Sequence, residues 1–209
     1  MKLFLSSEGV PRSDQLRELL AVSPGEVAKV ALINNAQDPY PEDLAMERIG
    51  ALNDTFSSLD FEPVNIDLRE YTGKTAELIT KLRTCNLIWC AGGNSFSLRY
   101  AMKTSGFDEI IRTLLAEGIA YGGWSAGAVV AGPSLRLIEL MDDPGKAPEI
   151  VWEGLGLIPY FIWPHWDMEK YLPLQKEALE RMKHLPYESM VMRDGEVLII
   201  DNGQEKMLS

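Results

Sequence analysis

Short apolar runs at residues 2–6, 29–34, 63–67, 86–91 and 119–122 are separated by segments of helical periodicity. Each run is too short to make a helix and is apolar at successive positions. That is the pattern of a strand buried on both faces of a parallel sheet. The intervening segments, 13–21, 41–59, 76–83, 95–102 and 107–116, carry helix signals. Ser13 can cap the first, Pro41 suits a first turn in the second, and Ser105-Gly106 separates the last two. Such alternation predicts an α/β chain with an open, mostly parallel sheet, right-handed crossovers and helices on both faces. The 209 residues contain no linker-like stretch, so residues 1–209 read as a single domain.

Beyond Val130 the pattern loosens. Residues 135–141 read as a strand, 142–147 as a polar loop, and 161–163 as a short strand ending at Pro164-His165. Residues 168–184 read as a helical stretch with Pro173 near its start. Residues 191–200 read as a hairpin that turns at Asp194-Gly195.

One strand–helix junction carries chemistry. Gly123, Ser125 and Gly127 form a G-x-S-x-G pattern after the apolar residues 118–121 and before the small-residue run 126–131. A nucleophile elbow needs that context, with a sharp turn that projects the serine hydroxyl and glycines that let neighbouring backbone pass close. The other possibility is a glycine-rich turn whose serine only caps a helix. A serine hydroxyl needs a base for its proton and donors for the developing oxyanion. The chain has two histidines. His165 follows a short strand and a proline and is the better base. His184 lies near a helix C-terminus, where an imidazolium suits the dipole. The alternative for His165 is a structural histidine among Tyr160, Trp163 and Trp166. Oxyanion donors are expected from the N–H of Ala126 and from Gly93, in the second glycine loop 91–96. That loop also follows a strand and opens a helix, so both loops emerge at the carboxyl edge of the sheet. It lacks the Gly-Lys-Ser/Thr of a P-loop and a complete dinucleotide fingerprint.

Composition excludes some functions. The net charge of −11 with no basic stripe argues against nucleic-acid partners and anionic membranes. No apolar run reaches the roughly 20 residues of a membrane-spanning helix, and the N-terminal apolar stretch is too short for a signal sequence. A cytoplasmic protein is expected. Cys85 and Cys90 flank one strand with their side chains on opposite sides, which disfavours a disulfide, and metal-ligand spacing is missing. No metal and no cofactor is expected.

The run Ala91-Gly92-Gly93-Asn94-Ser95-Phe96, then Gly123-Trp124-Ser125-Ala126-Gly127-Ala128, then Pro164-His165, resembles the peptidase E family of aspartyl dipeptidases, with cyanophycinase as a more distant relative. The order and spacing match over nearly the whole chain. The resemblance implies a three-layer, class I glutamine amidotransferase-like fold and a serine exopeptidase acting on small peptides through an acyl-enzyme. It implies Ser125 as nucleophile, His165 as base, and Gly93 and Ala126 as the oxyanion hole. The triad acid should lie after the nucleophile, where the matching position is Leu140. Asp142 is ranked first for that role and Glu139 second, with a solvated loop as the alternative for Asp142 and Asp143. Asn94, Trp124, Trp166 and Lys170 are candidates for binding substrate, and the expected partners are a small peptide substrate and a second copy in a homodimer.

The family holds an N-terminal aspartate with an arginine after the histidine. Residues 166–176 here contain lysines but no arginine, together with Asp167 and Glu169. Weak preference for an N-terminal aspartate is expected, unless Arg136 or Arg193 reaches in. Two other functions compete. One is an esterase of the α/β-hydrolase type, which shares the elbow but places its histidine nearer the C-terminus. The other is an amidotransferase-like binding protein without catalysis.

Overall fold

Alternation along each central strand sorts its side chains into two layers. The central strands are β1 (Lys2–Ser6), β2 (Ala28–Ile33), β3 (Phe61–Ile66), β4 (Leu87–Cys90) and β5 (Ala120–Trp124). Phe4, Val30, Leu32 and Trp89 face one layer, while Leu5, Ala31, Ile33, Ile88 and Cys90 face the other. Both sets are buried, which is why the strands are apolar at successive positions. The structure, a computed structural model, describes residues 1–23, 25–166 and 168–209.

The five strands pair in parallel in the order β3-β2-β4-β5-β1. Two antiparallel strands, β8 (Val197–Asp201) and β9 (Gln204–Leu208), extend the sheet beyond β1. Helices α1 (Ser13–Leu20) and α2 (Glu42–Ser58) cover the first layer through Leu16, Leu19 and Phe56. Helices α3 (Thr75–Leu82), α4 (Ser95–Ser105), α5 (Phe107–Ala116) and α6 (Ala126–Val129) cover the second. This is the expected three-layer α/β arrangement. A small second sheet pairs β6 (Phe161–Trp163) with β7 (Ser189–Val191), and α7 (Leu172–Met182) lies between them in the chain.

Three expectations are corrected. Residues 135–141 are not a strand but turns ending in a 3-10 turn at Ile138–Leu140. Leu135, Leu137 and Ile138 are buried while Arg136 and Glu139 are exposed, and Leu137 takes a φ of 75°, which a strand does not accommodate. Residues 191–200 are not a hairpin, because β7 pairs with β6 and β8 with β1. The hairpin lies one step later, between β8 and β9, at Asn202-Gly203. Both turn residues take positive φ, 49° and 85°, as a tight primed turn requires. Finally, Cys85 and Cys90 are free and buried but belong to the same apolar layer, because Cys85 precedes the strand. Among the described residues no helix is long and apolar enough to cross a membrane.

Arg99 ties the loop before β6 to the helical layer. It is 2% exposed, pairs with Asp108 through Nη1 (2.9 Å) and Nη2 (2.7 Å), and donates Nε to the Glu153 carbonyl at 2.7 Å. A guanidinium makes all three bonds in one plane, which an ammonium cannot do. Arg99→Ala leaves Asp108 without its partner and is expected to cost about 3 kcal/mol, with Arg99→Lys recovering less than half. Chemical denaturation measures this, and a loss below about 1 kcal/mol would show the pair to be no more than a surface contact.

Candidate active site

The chain turns sharply at the end of β5. Ser125 takes φ 49° and ψ −112°, a conformation L residues rarely adopt and one that costs about 1–3 kcal/mol. Its surroundings hold it there. The Ser125 N–H donates to the Ser6 carbonyl at 3.2 Å, and the Ser125 carbonyl accepts from Ala128 (3.0 Å) and Val129 (2.9 Å). Gly127 crosses β4 so closely that a Cβ would overlap the Cys90 carbonyl, and a Cβ on Gly123 would meet Gly127. The buried Tyr121 hydroxyl donates to the Gly127 carbonyl at 2.6 Å. The glycines of the pattern therefore allow close backbone packing, and the serine hydroxyl is left facing a cleft.

His165 comes to that hydroxyl from the small sheet. It follows β6 and Pro164 and also takes a positive φ, 57°. The buried Gln175 of α7 donates Nε2 to the Pro164 carbonyl (3.1 Å) and the His165 carbonyl (2.9 Å). The His165 N–H donates to Ser7 Oγ at 2.7 Å. Nε2 of the imidazole lies 3.1 Å from Ser125 Oγ. Nδ1 lies 2.7 Å from Asp194 Oδ1, which also accepts from Ser7 Oγ at 2.8 Å. An ionised carboxylate only accepts, so Nδ1 carries the proton and Nε2 is left to accept from the serine. His184, the other histidine, is exposed beyond the end of α7.

The geometry puts a carboxylate on the imidazole that is neither of the two expected acids. The carboxylate on the imidazole is Asp194, and neither Asp142 nor Glu139 bonds to it. Glu139 is exposed on the 3-10 turn. Asp142 borders the cleft, but its Oδ2 accepts the Ser95 N–H at 2.9 Å, at the start of α4. Burial pushes the Asp142 carboxyl above the usual range, opposed by its hydrogen bonds to Ser95 and, more weakly, by His165. Asp194, Ser7 and Gln175 were not legible as site residues. Asp194-Gly195 has the composition of a hairpin turn, but here it links two sheets, and that link carries the carboxylate to His165.

The second glycine loop closes the other side. Gly93 takes φ 138°, and a Cβ there would overlap the Ala36 carbonyl, which also accepts the Asn94 N–H at 2.8 Å. Gln37 Nε2 donates to the Gly92 carbonyl, and Gln37 Oε1 accepts from Arg48 Nη1 at 3.0 Å. Gly93 and Ala126 both border the cleft beside Ser125.

The other substrate candidates lie elsewhere. Asn94 is 4% exposed and caps α4, accepting from Ser97 N at 2.9 Å and donating to the Asp143 carbonyl at 3.0 Å. Trp124 points to the opposite side of the glycine loop, where its ring packs on Gly92 and lines a separate cavity with Arg48. Trp166 packs against the core, and its backbone N–H donates to the Met192 carbonyl at 3.0 Å. Lys170 is exposed, with Nζ 4.4 Å from the centre of the Tyr171 ring, and it is Tyr171 that borders the cleft. Asp167 lies outside the described residues. Arg136 stacks on Trp152 and Arg193 pairs with Glu196, and neither borders the cleft. Among its described lining residues the cleft, about 150 Å³ in volume, has no lysine or arginine.

The site and fold can be set beside known proteins. A crystal structure of a peptidase E candidate from Listeria monocytogenes EGD-e superposes with a TM-score of 0.83 at 24% identity, covering 99% of this chain and 97% of that one. At that identity the likeness establishes the fold. An uncharacterised peptidase of Listeria innocua is 30% identical over 141 residues, covering 64% of this chain and 68% of the relative. A peptidase E of Actinobacillus pleuropneumoniae is 30% identical over 164 residues, covering 76% of this chain and 66% of the relative. The aligned stretches take in about half to two thirds of the curated relatives' lengths. The model of peptidase family S51 matches residues 3–208. The chain therefore belongs to peptidase family S51, a family of serine peptidases.

Proposed function

We propose that this protein is a serine exopeptidase that hydrolyses small peptides through a Ser125-His165-Asp194 triad and an acyl-enzyme. The observation that carries the proposal is the unbroken hydrogen-bond chain from Ser125 Oγ to His165 Nε2 and from His165 Nδ1 to Asp194 Oδ1. His165 Nε2 takes the hydroxyl proton as Ser125 Oγ attacks the scissile carbonyl. The N–H groups of Gly93 and Ala126 receive the oxyanion. The imidazolium, stabilised by Asp194, then gives its proton to the leaving amine. Water, activated by the same imidazole, releases the acid and restores the serine.

The size of the cleft supports short substrates. A volume of about 150 Å³ accommodates little more than one side chain and its backbone. The relatives named peptidase E support the same class. An esterase would use the same triad, so turnover of X-Leu dipeptides against the corresponding ethyl esters separates the two. The complete triad geometry argues against a binding protein that has lost catalysis.

Ser125→Ala should abolish covalent labelling by a fluorophosphonate and all peptide turnover. Asp194→Asn should lower kcat by about 10³–10⁴-fold, through the wrong imidazole tautomer. Glu139→Gln should stay within about twofold of wild type, within the usual effect of an exposed substitution. Equal kinetic losses in Asp194→Asn and Glu139→Gln would refute the acid assignment.

The cleft's charge bears on specificity. A substrate carboxylate entering it would leave water without a paired cation among the described lining residues. The ratio of kcat/KM for Asp-Leu over Ala-Leu is therefore expected to stay below about a hundredfold, or about 2.7 kcal/mol. A larger ratio would reveal a cationic pocket that forms only with substrate bound.

A further inference from the structure

The Gly92–Gly93 peptide unit stands between two cavities. Gly93 borders both the cleft at Ser125 and a second cavity lined by Gln37, Arg48 and Trp124. With glycine on both sides, no Cβ opposes rotation of this unit. Its direction must therefore be set by a bond from outside. The Gly92 carbonyl accepts from Nε2 of Gln37, a side chain that is 5% exposed and is not among the cleft's lining residues. No peptide bond among the described residues is cis, so the carbonyl and the N–H of this unit point in opposite directions. With the carbonyl turned to Gln37, the Gly93 N–H is turned away from it. That N–H has no acceptor among the described residues.

We infer that Gln37 is a positioning residue for the oxyanion hole: it holds the Gly92 carbonyl so that the Gly93 N–H points at the oxyanion. This rests on the mechanism proposed above and deepens it. The residue type fits the task. The Gly92 carbonyl can only accept and the Arg48 guanidinium can only donate, so the group between them needs a donor at one end and an acceptor at the other. A carboxamide supplies both in one plane, and neither a carboxylate nor an ammonium does. Arg48 Nη1 donates to Gln37 Oε1 at 3.0 Å, which fixes the amide's direction and leaves Nε2 for Gly92. The Arg48 guanidinium in turn lies over the Tyr40 ring, 4.7 Å from its centre. The Gln37 backbone is also tied down. Its N–H donates to the Asn34 carbonyl at 2.8 Å, and its carbonyl accepts the Tyr40 N–H at 3.0 Å. Gln37 closes the 3-10 turn Asn35–Gln37 just after β2, so the end of one strand sets a donor for the serine at the end of another. Without that tie the peptide unit can flip, which would turn a carbonyl oxygen toward the developing negative charge. With it, the donor is in place before the charge forms.

The test reads the rate at which a fluorophosphonate labels Ser125, which requires no knowledge of the natural peptide. In that reaction Ser125 Oγ displaces fluoride from phosphorus, and the phosphoryl oxygen takes the place of the oxyanion. Gln37→Glu keeps the shape but sets an acceptor against the Gly92 carbonyl. Its second-order labelling rate should fall about 10²-fold, the usual effect of losing one oxyanion donor. Gln37→Met, which removes the donor without adding repulsion, should lose about tenfold, the effect of one hydrogen bond. The inhibition constant of ethylboronic acid, measured as protection from labelling, should rise by the same factors, because its tetrahedral adduct with Ser125 presents an oxygen to the same donors. Neither constant depends on the fraction of folded protein, which the end-point of labelling counts separately. A lower end-point with both constants unchanged would overturn the inference and leave Gln37 a purely structural residue. Slower labelling with unchanged boronate affinity would also overturn it, by placing the damage in activation of the serine. Arg48 is exposed, so Arg48→Ala keeps the inference testable if the buried Gln37 variants do not fold. In Arg48→Ala both constants should worsen about fivefold, as the amide loses the bond that orients it, and unchanged values would overturn the inference. The underlying function fails differently. In that case wild type itself is not labelled at Ser125.

Discussion

The candidate site is organised around the carboxyl end of β1. Parallel pairing sets Ser6 opposite Trp124, so the Ser6 carbonyl receives the Ser125 N–H. The next residue, Ser7, leaves the strand with its hydroxyl between two groups. It accepts the His165 N–H and donates to Asp194 Oδ1. On the far side of β1, antiparallel β8 begins just after Glu196, whose carbonyl takes the Ser7 N–H at 3.2 Å. Strand β1 therefore lies between the strand that delivers Ser125 and the strand that follows Asp194. A one-residue slip of β1 would reverse its side chains and detach all three groups together.

Two residues of the proposed triad sit in strained backbone, and each is held by tertiary packing. Ser125 is pinned by β1 on one side and by the close passage of Gly127 over Cys90 on the other. His165 is held through its carbonyl by Gln175 and through its N–H by Ser7. Strain of this kind persists only where surrounding structure over-determines it. The consequence for catalysis is that imidazole and hydroxyl are in register before substrate arrives, so little reorganisation is left for the reaction itself.

Two aspartates near one imidazole have different environments. Asp194 accepts a ring N–H and a serine hydroxyl. Asp142 faces the cleft, and burial pushes its carboxyl upward against the Ser95 bonds that pull it down. In the proposed mechanism the first orients the base. Asp142 is the one carboxylate among the described residues lining the cleft, and no lysine or arginine is among them.

The fold and much of the proposed machinery were legible in the chain itself. Apolar runs with helical spacers dictate a parallel α/β sheet because a strand buried on both faces has no polar face to show. The sharp turn at Ser125 was legible because a strand, a tight turn and a helix start are local features, written in adjacent residues. His165 was legible because it is one of only two histidines and the other trails a helix. Asp194 was not legible. Its Asp-Gly pair satisfies the chemistry of a hairpin turn, and local chemistry cannot reveal that the strands on either side join different sheets. Ser7 was hidden for a related reason, since a serine at a strand end is unremarkable until two distant loops converge on its hydroxyl. Local sequence determined which segments are strands, turns and helices. Tertiary structure decided which carboxylate reaches the imidazole, because that depends on the order in which strands assemble across the sheet, and residues far apart in the chain set that order jointly.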